Sequence, residues 1–474
     1  MNGWKHAASA VLSVLTLCGL IWTPGIPAEG ENSDSYTYME EETSGHKVSG
    51  IFTYEETDTG ITITSCDTNA TEAEVPATIS GKPVTQLGNG AFTQCQLLST
   101  VTLPSSITKI GESAFYCCNS LKSLTIPSSV TEIGKGAFQT CTSLETVTLP
   151  AGLTTIPEAA FQGCSHLTAV TLNGAVTQIG GQAFEACTAL TTFSIPETVT
   201  TIGDYAFRQC SALTEMTIPA ACTSLGQYVW DDCAALTNLY VAAGNPAYAD
   251  QNGVLFTADG SQLIRYPQNK PETTYTVPDG CTSLADWSFN YAASLETLDL
   301  NQVTELGADC FIYCTALQQV TLPEGITALN GAAFYGCSAL ESITLPSSLQ
   351  TIGEHCFGAC TALTSVPIPE GVTTIGSSAF LNCLSLKTVT LPDSVTEIGT
   401  YAFGYMIAAD SENYQPIEGF SLQGNSKTVQ AYRKDHNLSA SSGFPTWGIV
   451  CCVAAVVLVA GGVIVGIVCM NRRH

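Results

Sequence analysis

One spacing constrains this chain more than any other feature. Phe92, Phe115, Phe138, Phe161, Phe184, Phe207 and Trp230 follow one another at intervals of 23 residues, and Phe289, Phe311, Phe334, Phe357, Phe380 and Phe403 continue at 22 or 23. Three residues after nearly every one stands a cysteine, from Cys95, Cys118 and Cys141 through to Cys360 and Cys383. Leucines come three residues later, as at Leu98, Leu121, Leu144 and Leu386, followed by a short alternating segment such as Val101-Thr102-Leu103-Pro104. A second apolar pair, Ile107 with Ile110-Gly111 in the same unit, closes the repeat. A period of this length marks stacked units, none of which buries its apolar side chains alone.

Each unit reads as one coil of a solenoid. Val101 and Leu103 face inward and Thr100 and Thr102 outward, by the two-residue period of a strand. Pro104 ends that strand because it offers no N–H to a continuing ladder. Gly111 then permits a bend into a short helical segment burying Ala114, Phe115 and Cys118. The expected fold is therefore an α/β repeat solenoid of 23-residue coils with a parallel β-ladder. Each buried Phe contributes about 1.5–3 kcal/mol.

The unit Ala-Phe-x-x-Cys-x-x-Leu-x-x-Val-x-Leu-Pro, seen from Ala137 to Pro150, resembles the BspA-type leucine-rich repeat. The resemblance spans residues 60–440 and implies a leucine-rich-repeat horseshoe, found on cell surfaces and implicated in adhesion. Ala292 in place of cysteine, Trp230 in place of Phe and Asn173 in place of proline are its departures. The family motif is structural and brings no catalytic residues with it.

The ends suggest a compartment. Lys5 and His6 precede an apolar run from Ala7 to Trp22, with small residues before a cut after Ala28, the layout of a signal peptide over 1–28. Residues 29–59 form an acidic leader, 60–91 an amino cap, and 404–438 a carboxyl cap with a helix over 426–437. A polar stalk over 439–447 leads to Gly448–Met470, 23 residues without charge. As a helix this run is about 34 Å long and crosses a bilayer. Trp447 suits the interface, and Arg472 and Arg473 place the tail of 471–474 in the cytoplasm. The expectation is a single-pass surface protein, with Gly462 and Gly466 spaced for helix pairing and hence a weak homodimer.

The net charge of −26, from 41 acidic and 15 basic residues, excludes binding of nucleic acid through its phosphates and docking on anionic lipid. Twenty-one cysteines would ordinarily mean a disulfide framework, yet almost all of the ectodomain's fall at core positions, where a free cysteine acts as a small hydrophobe. Cys66 and Cys117 fall outside that pattern. His46, His166, His355 and His436 lack metal-ligand spacing, Asp259-Gly260 lacks the other carboxylates of a calcium loop, and no nucleophile elbow occurs. Neither an enzyme nor a cofactor is expected.

The repeat is interrupted once. Residues 242–276 replace one helical segment between the arrays 92–241 and 277–403, and Gly253–Phe256 and Gln262–Pro267 flank Asp259-Gly260 as a hairpin. Tyr240 and Asp299 break the outward column of Thr102, Thr125, Thr148, Thr171, Ser194 and Thr217 beside it. Irregular insertions on rigid scaffolds carry function, and aromatics with polar tips suit recognition. Tyr240, Tyr248, Tyr266, Trp287, Tyr291 and Asp299 are therefore the candidate binding residues, for an extracellular protein or glycan. The alternative is a structural or ice-binding-like surface built on the threonine columns.

Overall fold

The computed structural model describes residues 47–407 and 413–438, together with the backbone of 453–459 and 462–468. The signal peptide, most of the acidic leader, the stalk and the tail lie outside the described residues.

The array begins earlier than the sequence suggests. Lys47–Ser49, Phe52–Thr57 and Gly60–Cys66 form an antiparallel sheet, so the second part of the expected leader belongs to the cap. Alternation explains it: Phe52, Tyr54, Ile61 and Ile63 are buried while their neighbours face outward. Gly60–Cys66 then pairs in parallel with Lys82–Leu87, which pairs with Lys109–Ile110, the first coil.

Each coil carries two short parallel strands. In one unit Thr146–Leu149 buries Val147 and Leu149, exposes Thr146 and Thr148, and lies between Ser123–Thr125 and Ala169–Leu172. In the other position Thr155–Ile156, Gln178–Ile179 and Thr201–Ile202 form a second ladder. The glycine after this strand allows backbones to touch: a Cβ on Gly203 would lie 2.5 Å from the Gly181 nitrogen.

The expected helical segment is absent. From Ile to Cys the chain runs through successive turns, with Ala159 and Gly163 at φ 54° and 75° in the left-handed region. The reason lies in the hydrogen bonds. Phe161 N–H donates to Ala183 O (2.8 Å) and Gly163 N–H to Glu185 O (2.8 Å), both in the next coil. A helix would turn those donors back along its own axis, whereas here they join coil to coil. The phenyl rings consequently stack, Phe92 to Phe115 at 4.9 Å and Phe161 to Phe184 at 5.5 Å, nearly parallel.

The insertion is a meander of Tyr248–Gln251, Val254–Thr257 and Gln262–Arg265, all antiparallel. Its last strand joins the array by pairing in parallel with Ser283–Leu284. At this point the apolar core divides into two clusters, one ending at Leu239 and Leu255, the other beginning at Val254 and Phe256.

At the carboxyl end Ser421–Gln423 pairs with Thr388–Thr390, and Lys427–Asp435 form a helix capped by Ser426, whose hydroxyl accepts Val429 N–H at 3.2 Å. Buried Tyr432 closes the solenoid: its hydroxyl accepts Phe403 N–H (3.1 Å), the donor that interior coils send to a following coil.

The expected spanning helix over 448–470 is replaced in its described parts. Val453–Val459 and Gly462–Val468 are antiparallel strands, with Gly462 opposite Val459 and Gly466 opposite Ala455, so no Gly-xxx-Gly helix face forms. Nine of these fourteen residues are valine or isoleucine, whose branched Cβ favours extended backbone. Among the described residues no helix is long and apolar enough to cross a membrane.

Candidate ligand-binding site at the interrupted repeat

The six residues expected to form one site fall in separate places. Tyr240 is exposed on the strand Asn238–Val241, opposite Thr217 of the threonine column. Asp299 lies on the same kind of strand, between Thr276 and Thr321, and its Oδ1 accepts Asn301 N–H (2.9 Å) to shape the following turn. Tyr248 is half-buried, and its hydroxyl accepts Leu225 N–H at 3.1 Å. Tyr266 is core, 1% exposed and stacked on Phe289 at 5.0 Å. Its N–H donates to Ser288 O (2.7 Å) as Phe161 N–H donates to Ala183 O, so it stands in for the missing Phe of the array. Burial pushes its phenol well above the ordinary tyrosine range. Trp287 and Tyr291 sit on the turn face, Tyr291 stacked on Tyr313 at 5.3 Å.

A real cleft lies next to Trp287, and the count of residues explains it. A regular coil takes five steps from its second strand to its ring, as from Leu284 to Phe289, but the meander takes three, from Leu263 to Tyr266. The coil is two residues short on the turn face. The notch left behind holds about 230 Å³, with Tyr228 and Gln227 on one side, Asp286 and Trp287 on the other, and Asp231 and Arg265 among the remaining lining residues. Tyr228 and Trp287 meet edge to face, centroids 5.5 Å apart at 87°. Both stand two residues before the core ring of their coils, at left-handed φ of 56° and 60°. In the sequence Tyr228 belongs to the same aromatic stretch as Tyr248, Tyr266, Trp287 and Tyr291; Gln227, Asp286, Asp231 and Arg265 carried no signal.

Beside the notch, buried charges are held in a ladder running along the array. Gln139 donates to Gln162 (2.6 Å), Gln162 to Glu185 (2.6 Å), and Arg208 pairs with Glu185 (3.3 Å) and Asp231 (3.8 Å). Asn290 Nδ2 donates to Asp231 Oδ1 at 2.6 Å. Arg265 completes the ladder, donating to Trp287 O (2.6 Å) and to the Asn290 amide oxygen, while its Nε has no hydrogen-bond partner. Burial pulls the Arg265 guanidinium below its ordinary value, and the Asp231 carboxylate opposes that shift. Paired and hydrogen-bonded charges of this kind are stable in place, and removing one partner strands the other.

The cysteines described between 47 and 438 are all free thiols. Column members do more than fill space: Cys118, Cys141 and Cys164 donate their S–H groups to the carbonyls of Phe92, Phe115 and Phe138 at 3.1 Å. No cluster of three or more His, Cys, Asp or Glu among the described residues has the geometry to hold a metal ion.

The two ladders, the stacked rings and the coil period define a leucine-rich-repeat solenoid. The chain belongs to the family described as BspA type leucine rich repeat region, whose pattern matches residues 66–190, 141–249 and 273–408. It is similar to a leucine rich cell surface protein from Faecalibacterium prausnitzii, with 25% identity and a TM-score of 0.58 over 85% of this chain and all of that one. The pneumococcal vaccine antigen PcpA shares the fold, with 20% identity and a TM-score of 0.52 over 84% of this chain and 97% of that one. Among curated proteins none matches the chain.

Proposed function

We propose that this chain is a cell-surface recognition protein that binds an extracellular protein or glycan without catalysis, through the turn face at the interrupted repeat. The observation that carries this reading is the notch itself. An otherwise regular array loses two residues in one coil, and the gap is walled by two aromatic side chains rather than filled. Aromatics with polar edges, set in a partly desolvated recess on a rigid frame, are the residues that dominate recognition energetics. Likeness to a bacterial cell surface protein supports the location.

The test separates the two faces. Tyr228→Ser with Trp287→Ser should lower adherence of expressing cells to matrix proteins and glycans by tenfold or more, about 1.4 kcal/mol. Tyr240→Ser with Asp299→Ser, on the strand face, should leave it unchanged. The opposite result would move recognition to the threonine face, where ice recrystallisation is the next readout.

A further inference from the structure

We infer that the notch between Tyr228 and Trp287 takes one ring of a neutral saccharide; this rests on the recognition reading above and names its ligand class. Size sets the first limit. At about 230 Å³ the recess is smaller than the roughly 300–1,000 Å³ of drug-sized sites, and it suits a single ring at the end or side of a longer chain. Two ring systems at right angles form a corner, which offers an apolar wall to the C–H face of a sugar and leaves its hydroxyl edge free.

Charge sets the second limit. Arg265, the one basic residue lining the recess, is buried and already engaged with Trp287 O, Asn290 and Asp231, so its charge is met within the chain. An anionic sugar would meet Asp286 at the rim and Asp309 on the following coil, in a chain whose net charge is −26. Asp309 already feels this crowding: burial and then the Asp286 charge push its carboxyl up to about 6. Among saccharides, a neutral ring avoids that repulsion.

Hydrogen bonding sets the third. Gln227 is exposed at the rim, and its side-chain amide has no hydrogen-bond partner among the described residues. Asp286 accepts Ala308 N–H with Oδ1 at 2.7 Å and keeps Oδ2 for another donor. An amide on one side of the notch and a carboxylate oxygen on the other suit the hydroxyls of a sugar ring, which both donate and accept. Together they fix orientation, and the rings supply contact area.

The experiment uses the full-length chain against an array of neutral glycans ending in glucose, galactose, mannose or N-acetylglucosamine, beside sialylated and sulfated ones. Neutral glycans should be selected. Trp287→Ala should weaken the selected glycan at least tenfold, and Gln227→Ala should weaken it several-fold with an unchanged melting temperature, since that side chain supports nothing in the fold. Retention of charged glycans alone overturns the inference, as does neutral binding indifferent to both variants. If no glycan binds while adherence to matrix protein persists and falls with Trp287→Ala, the recognition reading stands and the saccharide assignment falls.

Discussion

At the scale of single residues the cysteine column is the clearest case of a side chain with two duties. It packs as a small hydrophobe, as its spacing suggests, and it also ties neighbouring coils together. Cys210 donates to Phe184 O at 3.1 Å and Cys233 to Phe207 O at 3.1 Å, repeating the bonds of the earlier coils. The donor was invisible in the sequence, because periodicity reports which side chains are inside and says nothing about what their polar atoms touch. Burial pushes the thiols of Cys164, Cys233, Cys314 and Cys383 up to about 12, which leaves little thiolate to react. Cys210→Ala removes both the bond and the sulfur volume and should cost about 1–3 kcal/mol. Cys210→Ser keeps a donor in place and should cost less. Thermal unfolding of the pair measures this, and equal melting temperatures for alanine and serine would show that the bond contributes nothing.

At the scale of the coil, much was legible and one element was misread. Strand, proline stop, glycine bend and buried ring follow from alternation and steric rules that act locally. The turn segment does not, since Ala-Phe-x-x-Cys has apolar residues at helical spacing and nothing local forbids a helix. What forbids it is the neighbour: Thr140 N–H donates to Gln162 O at 2.7 Å, a partner 22 residues away. The arrangement forces ordinary residues into left-handed backbone, including β-branched Thr140 at φ 60°. Such a residue costs about 1–2 kcal/mol in this region, more than glycine loses on ordering. Thr140→Gly should therefore stabilise the fold by up to about 1 kcal/mol. A chemical denaturation midpoint that falls on this substitution would mean that the Thr140 side chain holds the turn by contacts that outweigh its strain.

At the scale of the whole molecule, the insertion was legible as the place where the pattern stops, and so were the aromatic residues Tyr228 and Trp287 near it, but the polar residues that complete the notch were not. Tyr266 looked like a surface aromatic because it stands outside the 23-residue register, yet it fills the ring column there. The same interruption divides the apolar core into two clusters. Energy in a stacked array passes between neighbours, so a division in the core weakens the coupling of its halves. Phe161→Ala and Phe357→Ala, each costing about 3–5 kcal/mol, should lower different parts of the calorimetric unfolding profile. A single transition shifted equally by both would show that the meander transmits cooperativity in full. The coil-to-coil bonds have a consequence of another kind. On the turn face alternate donors find their acceptors at the equivalent place one coil along and the rest bond within their own turn, so the cut ends match when a whole coil is removed or copied. Lineages of this chain are therefore free to change length in steps of one coil with no backbone group left unpaired. The shortened coil at Tyr266 is exempt from that freedom, because its strand Gln262–Arg265 pairs antiparallel with Val254–Thr257 of the meander before it. Growth and loss on either side would change the distance from the notch to the two caps while leaving the notch itself intact.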